Sequence, residues 1–332
     1  MSPMAGHQSP EEWFRSPDRG DGEIYVMSPR IEEAVMVALA TGRPLLLRGR
    51  PGSGKSSLAP FIARQRGWRY YDHVITYAAR STELLWRYDS VRRLADAQAY
   101  KKGAVGLDDA SYVEPGVLWW ALAPQSARRR GREAGQSVAA GECLDPSAEI
   151  NAGRSPDHAV VLIDEIDKAD PDVPNSLLVP LGSHRFTVVE TGAEVGLEPP
   201  TGDIDPRFAR HLVVITTNDE RELPQAFLRR CVVETLPDHD VPSLVRIAEE
   251  HMKTWHGSAG DAELRLAEAL AVELGKVRAQ AMTIGLREPS TAEFLDALRA
   301  CLTLGITLGS ERWEWLKNCV LIKRQQIAGD EW

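Results

Sequence analysis

The residues with the clearest chemical potential are Gly49-Arg50-Pro51-Gly52-Ser53-Gly54-Lys55-Ser56, followed by Ser57. The spacing is G-x-x-x-x-G-K-[ST], the pattern of a phosphate-binding loop. Glycines let a backbone fold tightly enough for its N–H groups to converge on phosphate oxygens. Lys55 would reach the outer phosphates, and the Ser56 hydroxyl would take Mg²⁺. A second group stands 109 residues after Lys55: Asp164-Glu165, at the end of the apolar run Val160-Val161-Leu162-Ile163. Carboxylates ending a buried strand are costly unless they have chemical work. Asp164 suits metal support, and Glu165 suits polarising an attacking water. A third candidate is Asn218, at the tip of the strand His211-Leu212-Val213-Val214-Ile215, where open α/β sheets bind ligands.

These groups need elements to hold them. Leu45-Leu46-Leu47 reads as a short strand before the glycine loop, and 56–66 as a helix after it. Upstream, Ser28-Pro29 opens a helix with Ile31, Ala34, Val35, Ala38 and Leu39 on one face, ended by Gly42. His73–Tyr77 reads as a second strand, and Ser81-Thr82 as the cap of a helix running through Leu84, Leu85 and Tyr88 to Leu94. Residues 101–117 read as an insert or hairpin. Residues 124–158, rich in Arg, Gly, Ala, Ser and Pro without periodicity, read as a loop or disordered insertion. Its Arg128–Arg132 run reads as a solvated loop. Phe186–Val195 has a hairpin pattern, Leu223–Leu228 a short helix and Val232–Leu236 a last strand. From Pro237 onward four amphipathic helical stripes form a smaller helical domain.

The division expected is a mobile tail over 1–22, a nucleotide-binding domain over 23–237 and a helical lid over 238–332. The chain has 332 residues, 43% hydrophobic, with net charge −9. That charge argues against general nucleic-acid binding and against an anionic membrane surface. The four cysteines are scattered, without zinc-ligand spacing. No apolar run is long enough for a membrane span, and a cytoplasmic protein is expected.

The assembled pattern resembles the AAA+ ATPases and, within them, the MoxR-type, helix-2-insert clade related to the dynein-like (AAA_5) group. The carriers are Gly49–Ser56, Val160–Asp167, Thr216–Asn218 and Leu223–Cys231, in the family's order, together with "LREPSTAEFLDALRA". The resemblance implies an α/β fold: a P-loop αβα nucleotide-binding domain with a C-terminal α-helical lid. It implies ATP and Mg²⁺ as cofactors and a ring homo-oligomer, usually a hexamer. The ring would act on a protein substrate, often with a separate adaptor carrying a von Willebrand factor A domain. By position it makes Asn218 the first sensor, Arg230 or the adjacent Arg229 the arginine reaching a neighbour's site, and Arg287 the second sensor. Arg287 precedes Pro289, whereas the family's lid arginine follows its proline. Two other functions stay open: the motor subunit of a nucleic-acid-acting or defence system, as in relatives of the clade, and, from a different class, a nucleotide-dependent switch or scaffold with little turnover.

Overall fold

The computed structural model describes residues 22–77, 79–99, 107–136, 140–284 and 287–322. The predicted tail over 1–22 lies, but for Gly22, outside them. So do 101–106 of the predicted insert and 137–139 of the predicted loop. The described residues fall into two compact units. One holds 27–49 and 58–236; the other holds 22–26, Arg50–Ser57 and 237–322. From Arg50 on, the glycine loop thus groups with the C-terminal helices, whereas the sequence division assigns it to the larger domain.

In the larger unit, helix α1 (Pro29–Thr41) begins as expected. The Ser28 hydroxyl accepts from the Ile31 amide, Pro29 occupies the first turn, and Gly42 ends the helix at φ 65°. Strand β1 (Leu45–Arg48) is buried through its three leucines. Helix α2 (Lys55–Arg66) buries Leu58, Ala59, Ile62 and Ala63. Strand β2 (Trp68–Val74) starts five residues before the predicted strand, because Tyr70 and Tyr71 are the residues that bury.

The helix expected from Ser81 to Leu94 is not formed. A 3-10 turn (Ser81–Leu84) leads instead into strand β3 (Trp86–Tyr88), and helix α3 (Ser90–Ala99) begins only afterwards. Leu84, Leu85 and Trp86 are all buried. The Trp86 ring stacks on Phe186, its Nε1 donates to Glu190, and β3 pairs antiparallel with β4 (Val113–Pro115). Helix α4 (Val117–Leu122) follows Gly116 and is buried from Leu118 to Leu122.

The region 124–158 is ordered where described, contrary to the loop or disordered insertion expected. It holds α5 (Pro124–Arg128), α6 (Ala148–Asn151) and the start of β5 (Ser155–Asp164). Polar contacts hold it instead of an apolar period. Arg129 Nε donates to the Arg132 carbonyl, Arg130 to the Val113 carbonyl, and Arg132 pairs with Asp108. The Cys143 amide donates to the Arg128 carbonyl, and the Tyr71 hydroxyl donates to Asp145. The arginine run therefore folds inward over much of its length.

Beyond β5 come short helices α7 (Asp172–Ser176) and α8 (Leu178–Ser183), then the predicted hairpin, β6 (Arg185–Val188) with β7 (Ala193–Gly196). Strand β8 (His211–Thr217), helix α9 (Gln225–Leu228) and strand β9 (Val232–Thr235) complete the unit. The central sheet has the order β2-β5-β8-β1-β9, with every pairing parallel. Its middle strands are continuous apolar runs, as burial on both faces requires.

The smaller unit contains α10 (Val241–His256), α11 (Asp261–Ile284), α12 (Thr291–Leu304) and α13 (Glu311–Lys317), with a π-helical turn over Asn318–Ile322. They pack around Leu244, Met252, Leu274, Phe294, Leu298 and Trp313, the stripes visible in the sequence. The last stripe's Ile327 lies outside the described residues. No described helix is long and apolar enough to cross a membrane.

Candidate functional site

In the larger unit the sheet itself assembles the carboxylates. Strand β8 lies between β5 and β1, with Ile163 opposite Ile215 and Arg48 opposite Thr217. The C-terminal ends of all three strands therefore share one edge, where Asp164, Asn218 and the exit into Gly49 come together. This is the edge at which parallel sheets place ligands. Arg48 and Asp219 form an ion pair at 3.0 Å.

Thr216 is completely buried and organises the strand tips. Its hydroxyl donates to Asp164 Oδ1 and accepts from the Glu165 amide at 2.9 Å. Glu165 sits in the left-handed region at φ 59°, an uncommon position for a side chain of this size. That conformation turns the chain out of β5 and aims the carboxylate along the sheet edge. Glu165 Oε2 pairs with the Lys168 ammonium, and Oε1 accepts from Asn218 Nδ2 at 3.4 Å. Both carboxylate and ammonium remain about a quarter exposed, so water reaches them. The Glu165 pairing raises the Lys168 pKa. Behind them Asp167 is 2% exposed, and its Oδ2 accepts the amides of Asn218 at 3.0 Å and Glu220 at 2.9 Å. Asp164, Glu165 and Asn218, named from sequence, are thus brought together. Thr216, Asp167 and Lys168 were not singled out. The available signals were a threonine ending an apolar strand and a second acid one helical step beyond Asp164-Glu165.

The glycine loop, which lies in the smaller unit from Arg50 on, is built differently. Gly49, Gly52 and Gly54 have φ of 149°, 75° and 88°. A Cβ on Gly52 would lie 2.3 Å from the Ser290 Cβ, so glycine is required there for both backbone and space. Lys55 is 5% exposed, and its ammonium donates to the Arg50 carbonyl at 2.8 Å. Ser53 is equally buried, with no partner for its hydroxyl among the described residues. The Arg50 guanidinium pairs with Glu288 and, at 3.4 Å, with Asp238. Ser290 caps α12 in a reciprocal capping box with Glu293. Ser56 is exposed and Ser57 half-buried in the first turn of α2.

Two arginines of the helical region differ in placement. Arg287, the residue named from sequence, is about half exposed and turned onto Glu293 at 3.0 Å. Arg278 on α11 was not named. It lines the same small pocket as Arg50, Gly52 and Ser53 and donates to the carbonyls of Pro289 and His239. Burial lowers the pKa of Arg278, and burial followed by the Arg278 charge lowers that of His239. Arg229 and Arg230 are exposed at the end of α9; the Arg230 guanidinium touches the Ala226 carbonyl, and Arg43 holds the Arg229 carbonyl. Among the described residues, no cluster of three or more His, Cys, Asp or Glu is arranged to hold a metal ion by itself.

A family model for the AAA domain of the dynein-related subfamily matches residues 44–231. A search among curated proteins found no match. Among solved structures, the crystal structure of a putative ATPase from Cytophaga hutchinsonii ATCC 33406 is 14% identical, with a TM-score of 0.41, over 91% of this chain and 83% of that one. The family match spans more than half of the sequence and runs from the start of β1 through both carboxylates, Asn218 and the Arg229-Arg230 pair, and on it the chain belongs to the AAA domain family, dynein-related subfamily.

Proposed function

We propose that this chain is the ATP-hydrolysing subunit of an AAA+ ring motor. The observation that carries the reading is the arrangement of Glu165. It ends a buried strand, is held in a left-handed turn by Thr216, and is flanked by Asn218 and Lys168 while still open to water. A carboxylate held this way is suited to take a proton from an attacking water. The donor set of the loop fits a polyphosphate: three glycines at positive φ, a buried ammonium and a buried hydroxyl. Gly49–Ser57 would hold the nucleotide, with Ser56 and Asp164 as the residues for Mg²⁺. The ion would supply charge neutralisation on the phosphate oxygens. Asn218 would orient the water, and Arg230, or Arg229 beside it, would complete a neighbour's site. In the helical region Arg287 would be the second sensor, on the resemblance alone.

The biological role follows the MoxR-type resemblance: remodelling of a partner protein or complex, with a separate von Willebrand factor A domain adaptor. The inward-folded arginine run weakens the nucleic-acid alternative, because Arg129, Arg130 and Arg132 spend donors on the protein itself. The test is ATP hydrolysis on size-resolved protein, wild type beside Glu165→Gln. Turnover should appear only in assembled fractions. Glu165→Gln should assemble and bind nucleotide while kcat falls by about 10²–10⁴. Wild-type assemblies that bind nucleotide without hydrolysing it would make the chain a switch.

A further inference from the structure

We infer that Asp167 is a positioning residue: its buried carboxylate clamps the turn after β8 and thereby aims the Asn218 side chain at Glu165. The inference rests on the hydrolytic reading of Glu165 and extends it to a residue two positions on.

Its basis is how the turn is held. Asp167 is 2% exposed, yet no cation pairs with it among the described residues. Oδ1 has no partner there, and Oδ2 accepts two main-chain amides, from Asn218 and Glu220. A buried carboxylate without a counter-charge is expensive, and amide donors are what make it tolerable. Between those amides lies Asp219, at φ 59°. Its own amide donates to the Thr217 hydroxyl at 3.0 Å, and its carboxylate pairs with Arg48. The Asn218 and Glu220 amides thus converge on one carboxylate oxygen, and that grip fixes the backbone from which Asn218 reaches Glu165.

Asp167 and Glu165 also share one short segment. A 3-10 turn over Ile166–Lys168 follows Glu165 directly. The proton-accepting carboxylate and the clamp on its polar neighbour therefore move as one body. Ile166, between them, is fully buried and anchors that body in the core. Any shift of this turn relative to β8 would change the 3.4 Å separation of Asn218 and Glu165, so the clamp sets a distance and not only a fold.

The test compares Asp167→Ala, Asn218→Ala and the double variant by amide hydrogen exchange and by steady-state ATP hydrolysis of the assembled full chain. Asp167→Ala should raise exchange at the Asn218 and Glu220 amides about tenfold or more, while Asn218→Ala leaves Glu220 protected. Both single variants should lower kcat by a similar factor, about 10–100-fold as for other orienting partners, with KM within about twofold. The double variant should be no worse than either single, because one residue acts through the other. Unchanged exchange in Asp167→Ala, or a double variant whose loss is the product of the two singles, overturns the inference. If Asp167→Ala fails to fold, Asp167→Asn retains one acceptor oxygen and should show both effects in smaller measure. Normal exchange with impaired turnover in that variant likewise overturns it. A wild type without hydrolysis would refute the hydrolytic reading, and the exchange comparison alone would then decide the clamp.

Discussion

The glycine loop and the strand-tip turns both need backbone in the left-handed region, and they reach it by opposite means. In the loop, Gly52 and Gly54 adopt positive φ without a side chain to object. At the strand tips, Glu165 and Asp219 adopt φ 59° with side chains present, in a conformation that costs an L-residue roughly 1–2 kcal/mol. The Glu165 amide donates to the Thr216 hydroxyl, the Asp219 amide donates to the Thr217 hydroxyl and Arg48 pairs with the Asp219 carboxylate, which holds the turns in that conformation. A loop that must surround a ligand with amides does best without side chains. A turn that must present a carboxylate has to keep one, and the surrounding structure over-determines it.

The largest way to break this contrast is Gly52→Ala. The added methyl would meet the Ser290 Cβ at 2.3 Å on a backbone at φ 75°. Nucleotide affinity should fall at least about tenfold, and overpacking should lower stability by about 1–3 kcal/mol. Adding Ser290→Gly should recover the steric part and leave the backbone part, as read by isothermal titration and by thermal melting.

Glu165→Gly sharpens the contrast from the other side. It removes the left-handed penalty together with the carboxylate. Hydrolysis should vanish while stability rises by about 0.5–1 kcal/mol in denaturant melts, the strain offset by the entropy of glycine in the unfolded chain. Loss of stability would mean that the Glu165 side chain, and not its backbone conformation, is what the site depends on for folding.

The contrast also explains what the sequence reveals. The loop was legible because its physics requires a particular residue type: glycine at fixed spacing records the backbone directly. The parallel sheet was legible for the same reason, since Val160–Ile163 and Leu212–Ile215 are apolar runs of the kind a buried strand accommodates. Asp164, Glu165 and Asn218 stood out as polar residues ending such runs. Asp167 and Lys168 did not, because their roles lie in which backbone amide or carboxylate they meet, and no spacing encodes that. Trp86 is similar: nothing local reveals that it stacks on Phe186, a hundred residues on, and so ends the helix expected around it. In 124–158 the missing apolar period hid an order that rests on arginine, Asp108, Asp145 and main-chain carbonyls.

A smaller effect separates the sheet core from its tips. His211, at the start of β8, has its pKa pushed down to about 3, first by burial and then by the Arg69 and Arg210 charges. The unfolded chain takes up this proton near pH 6.5, whereas the folded chain resists it until about pH 3. The unfolded state thus binds more protons in that window, and stability falls as the pH drops through it. Melting temperature should decline between about pH 6.5 and 3. His211→Gln should flatten part of that decline, and an unchanged slope would assign the acid sensitivity to other groups.

The register of β1 has a consequence for how the chain is made. Both neighbours of this strand lie far downstream: Leu45 pairs with Val214 and with Val232. A ribosome adding 5–20 residues per second would take roughly 10–40 s to supply the second of them. Until Val214 emerges Leu45-Leu46-Leu47 has neither neighbour, and until Val232 emerges it has only one. The segment that delivers the glycine loop is therefore one that needs protection during synthesis. That strand gains its second neighbour only once residue 232 of 332 has emerged.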